Sequence, residues 1–300
     1  MDNKQTNGYG QASMAYLLWG VLPLYWKALQ EVSSIEILSH RILWSFIFLL
    51  GWNLLRKGKE TFRIFRDKGK RSIMIVTALL ISFNWGIYIW GVNSGHTVDV
   101  SLGYFINPLV SVFLGMIFFK ERLSPLKWIA LVLALMGVGY QTYAYGQLPW
   151  IAVCLALSFG LYGMFKKKYA MDSMGSLMGE TMLITPLALG TILYLSFKGE
   201  SGLFTLGATT DIMLLLSGIV TSVPLFLFAE GAKKIPLSAV GFLQYIAPSL
   251  MLSIGVFFFG ENFTETDAIS FTLIWCGLLI YTYAAVRGYR KQRKQKVARV

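Results

Sequence analysis

The segment SLGYFINPLVSVFLGMIFFKERLSP, residues 101–125, returns in degenerate form 140 residues later, and no other feature constrains the fold as tightly. At that one offset Pro108 answers to Pro248, Gly115 to Gly255, Phe118 and Phe119 to Phe258 and Phe259, Glu121 to Glu261, Ser124 to Thr264 and Gly137 to Gly277. Thr142-Tyr143-Ala144 then meets Thr282-Tyr283-Ala284. A shared series that includes proline and glutamate marks a duplication, so the chain consists of two related halves. Upstream the register shifts, and Gly103 pairs with Gly241 at an offset of 138.

Both halves are made of apolar runs. The chain is 55% hydrophobic and only 14% charged, with a mean hydropathy of +0.58, more apolar than a soluble core requires. A bilayer core about 30 Å thick needs roughly 20 apolar residues in a helix. Ten runs approach that length: 11–29, 34–55, 72–94, 98–119, 125–145, 148–165, 175–197, 210–232, 237–259 and 266–287. Five crossings separate Pro108 from Pro248, and because five is odd, equivalent segments insert with opposite orientations. The predicted class is therefore an all-α, polytopic membrane protein of ten transmembrane helices arranged as two inverted five-helix repeats. The repeats are expected over residues 1–145 and 146–287, followed by a basic tail over 288–300.

The net charge of +12 is a topology signal. With a cytoplasmic N-terminus, every lysine and arginine except Lys27, Arg41 and Lys198 falls in a segment on the inner side, which predicts a multi-pass protein of the cytoplasmic membrane with both termini inside. The tail reads as a stop signal and a contact for anionic lipid headgroups, and no nucleic-acid role is expected. Cys154 and Cys276 lie in apolar runs without ligand spacing and read as small buried hydrophobes. The first run contains Trp19, Pro23 and Trp26 and lacks a small-residue cleavage site, so it is expected to be retained as a helix. The loop 56–71 reads as a surface-lying amphipathic stretch with Phe62, Ile64 and Phe65 turned to lipid.

Three prolines, Pro23, Pro108 and Pro248, interrupt helices at or near the depth where transporters hold substrate. Around them stand Trp19, Tyr25, Asn84, Trp85, Tyr88, Asn107, Gln244 and Tyr245, which are expected to line a central cavity. Aromatic walls with a few amides suit an amphipathic organic solute, including a cationic or zwitterionic one held by ring contacts. Each aromatic also has a packing or interface-belt reading, and each amide a helix-bridging one.

Ionisable groups inside a bilayer are expensive and normally have a task. Glu180, Glu230, His40, Arg41 and His96 are the candidates for ion or proton coupling. Glu230 is equally explained by ion pairs to Lys233 and Lys234, and Arg41 by snorkelling or a structural pair. Glu121 and Glu261 precede helix starts and read as structural. Ser124 before Pro125 predicts a helix cap, and Thr264 with Asp267 an acidic capping box. Gly137, Gly139 and Gly277 in the fifth and tenth helices predict close helix approach, with both helices serving as supports.

The stretches WG (19–20), LPLYWK (22–27), EILSHRILWS (36–45), NWGIYIWGVNSGH (84–96), SLGYFINPLVSVFLG (101–115), KERLSPLKW (120–128) and GFLQYIAPSL (241–250) resemble the RarD family. That family is the chloramphenicol-sensitive-protein branch of the EamA-type transporters in the drug/metabolite transporter superfamily. The resemblance implies ten helices in two inverted halves around a central cavity, and a permease or exporter of small molecules.

Inverted repeats offer a route to alternating access, a midplane site opening to one side and then the other. No Walker loop, zinc-binding His-Glu-x-x-His or nucleophile elbow is present, so no enzyme activity, cofactor or metal is expected, and a gradient is the expected energy source. The expected partners are a small-molecule substrate and the lipid bilayer, with a second copy of the chain as a candidate homodimer. The competing reading is a non-transporting sensor or scaffold with a transporter fold. A membrane-embedded enzyme would need a clustered acid, base or metal set, and a channel would need a polar filter.

Overall fold

The computed structural model describes residues 3–57, 67–93, 97–146, 150–259 and 263–297. It contains α1 (Asn3–Lys27), α2 (Ser34–Lys57), α3 (Lys68–Asn93), α4 (Thr97–Phe119), α5 (Pro125–Tyr145), α6 (Trp150–Tyr169), α7 (Ser173–Lys198), α8 (Ala208–Ala232), α9 (Leu237–Gln244), α10 (Ile246–Phe259) and α11 (Glu265–Val297). There is no strand among the described residues. Seven spans are individually long and apolar enough to cross a bilayer, and α9 with α10 counts as one of them. Ten spans result. Leu55, Leu79, Ile117, Leu187, Phe197, Phe257 and Leu279 all face outward, a surface that only lipid makes favourable.

The predicted ninth helix, 237–259, is interrupted at Tyr245. Pro248 has no N–H to give the Gln244 carbonyl, and the Tyr245 N–H bonds back to Phe242 in a tighter turn. The Ser249 hydroxyl then donates to the Tyr245 carbonyl at 2.7 Å. At the equivalent Pro108, α4 runs on without a break.

Helix pairing follows the two-fold pattern. α1 packs on α8 as α6 packs on α3, and α4 packs on α6 as α10 packs on α1. α2 with α7, α4 with α9, and α5 with α11 pair across the pseudo-axis. The 140-residue offset recurs in the atoms of these contacts. A Cβ on Gly20 would lie 2.7 Å from Leu250, and one on Gly160 would lie 2.7 Å from Val110. A Cβ on Gly137 would sit 2.8 Å from the Ser270 carbonyl, and one on Gly277 2.8 Å from the Ala130 carbonyl. These glycines let backbones touch, as small residues do in membrane interfaces. Gly139 differs from the expectation, since nothing stands within 4 Å of its missing side chain.

The caps are mixed. Thr264 and Asp267 form the capping box, with the Asp267 carboxylate accepting from both the N–H and the hydroxyl of Thr264. Ser124 holds the cap position before Pro125, but its side chain makes no capping bond. Glu121 reaches another element: its carboxylate accepts the Leu237 and Ser238 N–H groups and so caps α9. Cys276 is exposed on the outer surface and Cys154 half-buried, so neither is the fully enclosed thiol expected. Phe62, Ile64, Phe65, His96 and Glu261 lie outside the described residues.

Candidate functional site

A cavity of about 490 Å³ opens between α1, α2, α3, α4, α6, α8, α9 and α10, with no contribution from α5, α7 or α11. The wall is built by helical spacing. Asn84, Trp85 and Tyr88 share one face of α3, and Trp19, Pro23 and Trp26 climb one face of α1. Asn107 and Gln244 add one amide from each half of the chain, on α4 beside Pro108 and on α9 just before the break at Tyr245. Ser34, the first residue of α2, and Trp26, near the end of α1, carry the cavity towards the end of the bundle opposite the lysine-rich turns.

Trp19, Asn84, Trp85, Tyr88, Asn107 and Gln244 line this space, as do Pro23 and Pro248. Asn84 also bridges helices, donating to the Leu155 carbonyl and the Ser158 hydroxyl at 2.9 Å each. Asn107 Oδ1 and the Tyr16 hydroxyl are buried with no hydrogen-bond partner among the described residues. Two expected wall residues stand elsewhere. The Tyr25 hydroxyl donates to the Met213 carbonyl, and its ring lies edge-on to Trp26. Tyr245 is only 1% exposed, and its hydroxyl donates to the Phe105 carbonyl at 3.2 Å. Pro108 is buried behind the wall, its carbonyl 2.5 Å from where a Cβ on Gly241 would lie.

Below the cavity an aromatic floor closes the path to the lysine-rich end. Trp19, Phe159 and Phe228 pack at centroid separations of 5.3–5.9 Å, and Tyr162 stacks on Phe228 at 6.2 Å. Beneath the floor Glu180, 2% exposed, accepts from Lys166 Nζ (2.5 Å), the Thr77 hydroxyl (2.7 Å), the Ser176 hydroxyl (3.0 Å) and the Tyr162 hydroxyl (3.2 Å). Lys166, 5% exposed, is buried with it, although its place in a run of three lysines suggested solvent.

The other ionisable candidates are dispersed. Glu230 is paired with Lys233 and Lys234 and accepts from the Ser173 hydroxyl. His40 is buried beside α2's own Glu36, which is committed to the α7–α8 connection through the Ser201 hydroxyl (2.7 Å) and the Gly202 N–H (2.9 Å). Neither lines the cavity. Arg41 does: its Nε donates to the Thr221 hydroxyl at 3.0 Å, and its guanidinium carbon lies 4.7 Å from the Trp26 ring centroid and 5.5 Å from that of Trp85.

Known proteins share this plan. The chain matches the EamA-like transporter family over residues 6–141 and again over 149–283. It is 41% identical to YojE, an uncharacterized transporter of Bacillus subtilis (strain 168), over 98% of this chain and 99% of that protein. It is 39% identical to protein RarD of Escherichia coli (strain K12), over 98% of this chain and all of that one. A solved crystal structure with 17% identity superposes with a TM-score of 0.74, covering 94% of this chain and 98% of that one. Two matched halves, full-length relatives and a shared fold lead to one assignment: the chain belongs to the EamA-like transporter family, within its RarD branch.

Proposed function

We propose that this protein is a secondary transporter, and not an enzyme, that moves a small organic solute across the cytoplasmic membrane by alternating access. The observation that carries the reading is the cavity itself, lined from both halves of the chain, by Asn107 beside Pro108 and Gln244 before Pro248 among others, and floored at one end by Trp19, Phe159 and Phe228. Its volume of about 490 Å³ lies within the roughly 300–1,000 Å³ that hold small-molecule ligands. The closed end carries the aromatic floor and the Lys166–Glu180 cluster, and in this reading it faces the cytoplasm, which the basic turns there support through the positive-inside rule. The conformation is then outward-facing. Exchange of contacts between the repeats, 1–145 and 146–287, would open the floor and close the Trp26–Ser34 end.

The driving force in this reading is a gradient, with Glu180 as the foremost proton carrier because it is the buried carboxylate directly beneath the aromatic floor. The test is counterflow into liposomes containing the purified protein, using amino acids, small metabolites and chloramphenicol, with and without an imposed proton gradient. Saturable flux of one solute class that follows the gradient is expected, and Glu180→Gln is expected to uncouple the two. Gradient-insensitive flux that Glu180→Gln leaves unchanged would remove the coupling role. No flux of any solute by intact protein would favour a sensor.

A further inference from the structure

Among the described residues lining the cavity, Arg41 carries the only formal charge. An arginine near the middle of a membrane helix costs roughly 2.5–3.5 kcal/mol on insertion scales and normally faces a named counter-charge. None is present: among the described residues, no carboxylate lies within 4.0 Å of its guanidinium. Glu36, five residues earlier on α2, is committed to a backbone turn, and Glu180, beneath the floor, to Lys166.

The side chain is nonetheless held in place. Thr221 accepts from Nε on one edge, while Trp26 and Trp85 approach the guanidinium. The two terminal nitrogens have no hydrogen-bond partner among the described residues, and their fork is the geometry that takes a carboxylate with two parallel bonds. Independently, Asn107 Oδ1 is a buried acceptor in the same wall with no partner among the described residues, open to a donor elsewhere on a bound solute.

We infer that the cavity binds an organic carboxylate, with Arg41 receiving the carboxylate group and Trp19, Trp85 and Tyr88 packing on its apolar body. The inference rests on the transport reading only for its setting, since it concerns what binds. One guanidinium and no second cation among the described wall residues suit a monoanion better than a phosphate dianion. A cationic solute, which the ring content alone would allow, would meet an unneutralised like charge.

The test uses three probes with one frame and three charges: 3-phenylpropionate, 3-phenylpropanol and 3-phenylpropylamine. An aliphatic series of hexanoate, hexanol and hexylamine runs alongside. Binding to the purified full chain is read from tryptophan fluorescence, which these probes do not share. In at least one series the carboxylate is expected to bind about tenfold or more tightly than its alcohol and amine, in line with a charge-assisted pair. Arg41→Gln is expected to remove that preference, weakening carboxylate binding about tenfold or more and alcohol binding far less. Arg41→Lys, which keeps the charge and loses the fork, is expected to fall between the two and carries the test if Arg41→Gln does not fold.

Tighter binding of the amine, survival of the carboxylate preference in Arg41→Gln, or binding of none of the six probes would overturn the inference. Flux of the same probes in liposomes separates the two readings. A carboxylate that binds and is not carried would sink transport alone, whereas saturable flux of the amine in preference to the carboxylate would sink the carboxylate assignment alone.

Discussion

Replacing Glu180 by alanine is expected to destabilise the protein by about 3–5 kcal/mol, the usual effect of leaving one member of a buried ion pair without its partner. Lys166 would then retain only the Ser176 hydroxyl at 2.5 Å and the Tyr162 ring face at 5.1 Å. The converse change, Lys166→Met, is expected to cost less, about 1–3 kcal/mol, because Glu180 keeps three hydroxyl donors in Thr77, Ser176 and Tyr162. The pair changed together, Lys166→Met with Glu180→Leu, should recover much of the loss, since a desolvated ion pair is often no more stable than apolar groups of similar volume. Unfolding of Glu180→Leu, Lys166→Met, the variant carrying both and the wild type in mixed micelles gives the double-mutant cycle. Strict additivity in the double would mean that the two charges do not depend on each other, and equal losses for the two single variants would contradict the expected ranking. Unchanged stability combined with altered gradient coupling would point to a functional role only. The location makes the ranking informative, because this cluster lies directly under the aromatic floor.

What could be read before the structure depended on how each signal is encoded. The two-fold plan was legible because Pro108, Gly137 and their counterparts occupy special backbone or packing positions that a duplicated sequence keeps at a fixed spacing. Asn84, Trp85 and Tyr88 were legible because one helical turn puts them on one face. Tyr25 and Tyr245 look the same by that criterion, but the neighbouring elements decided otherwise: Met213 and Phe105 supply carbonyl acceptors that take their hydroxyls away from the cavity. The break at Tyr245 was hidden for a related reason, since Pro248 and Pro108 are alike in sequence and only one of them interrupts its helix.

Arg41 was visible as a charge at depth, but its importance depends on which carboxylates are already used. Charge matching could have exposed it. Glu230 has Lys233 and Lys234 within a turn, and Glu180 has the lysines at the end of the preceding helix, which leaves Arg41 without an obvious partner. That Lys166, of three consecutive lysines, is the buried one follows from the rotation of α6 against α7, which linear sequence does not carry.

Gly218→Val is expected to be the most damaging single substitution at a helix contact, and Gly139→Ala among the most harmless, although both sites are glycines inside apolar helices. At Gly218 a Cβ would lie 2.2 Å from the Trp44 carbonyl carbon and 2.5 Å from the Ser45 nitrogen, so α8 and α2 touch backbone to backbone. The Ser45 hydroxyl also donates to the Gly218 carbonyl at 3.1 Å. Backbone cannot move aside as a flexible side chain can. Alanine at 218 should therefore cost about 1–3 kcal/mol through overpacking, and valine more. Gly139 has open space where its Cβ would go, so alanine there should be neutral or stabilise by up to about 1 kcal/mol through helix propensity. Comparable unfolding midpoints for Gly218→Ala and Gly139→Ala would refute the close approach. The contact also bears on the cavity, because Thr221 lies three residues beyond Gly218 on α8 and Arg41 three residues before Trp44 on α2. Forcing these helices apart pulls on the 3.0 Å bond that holds the guanidinium, so Gly218→Ala should weaken carboxylate binding before it abolishes folding, while Gly139→Ala leaves binding as it is.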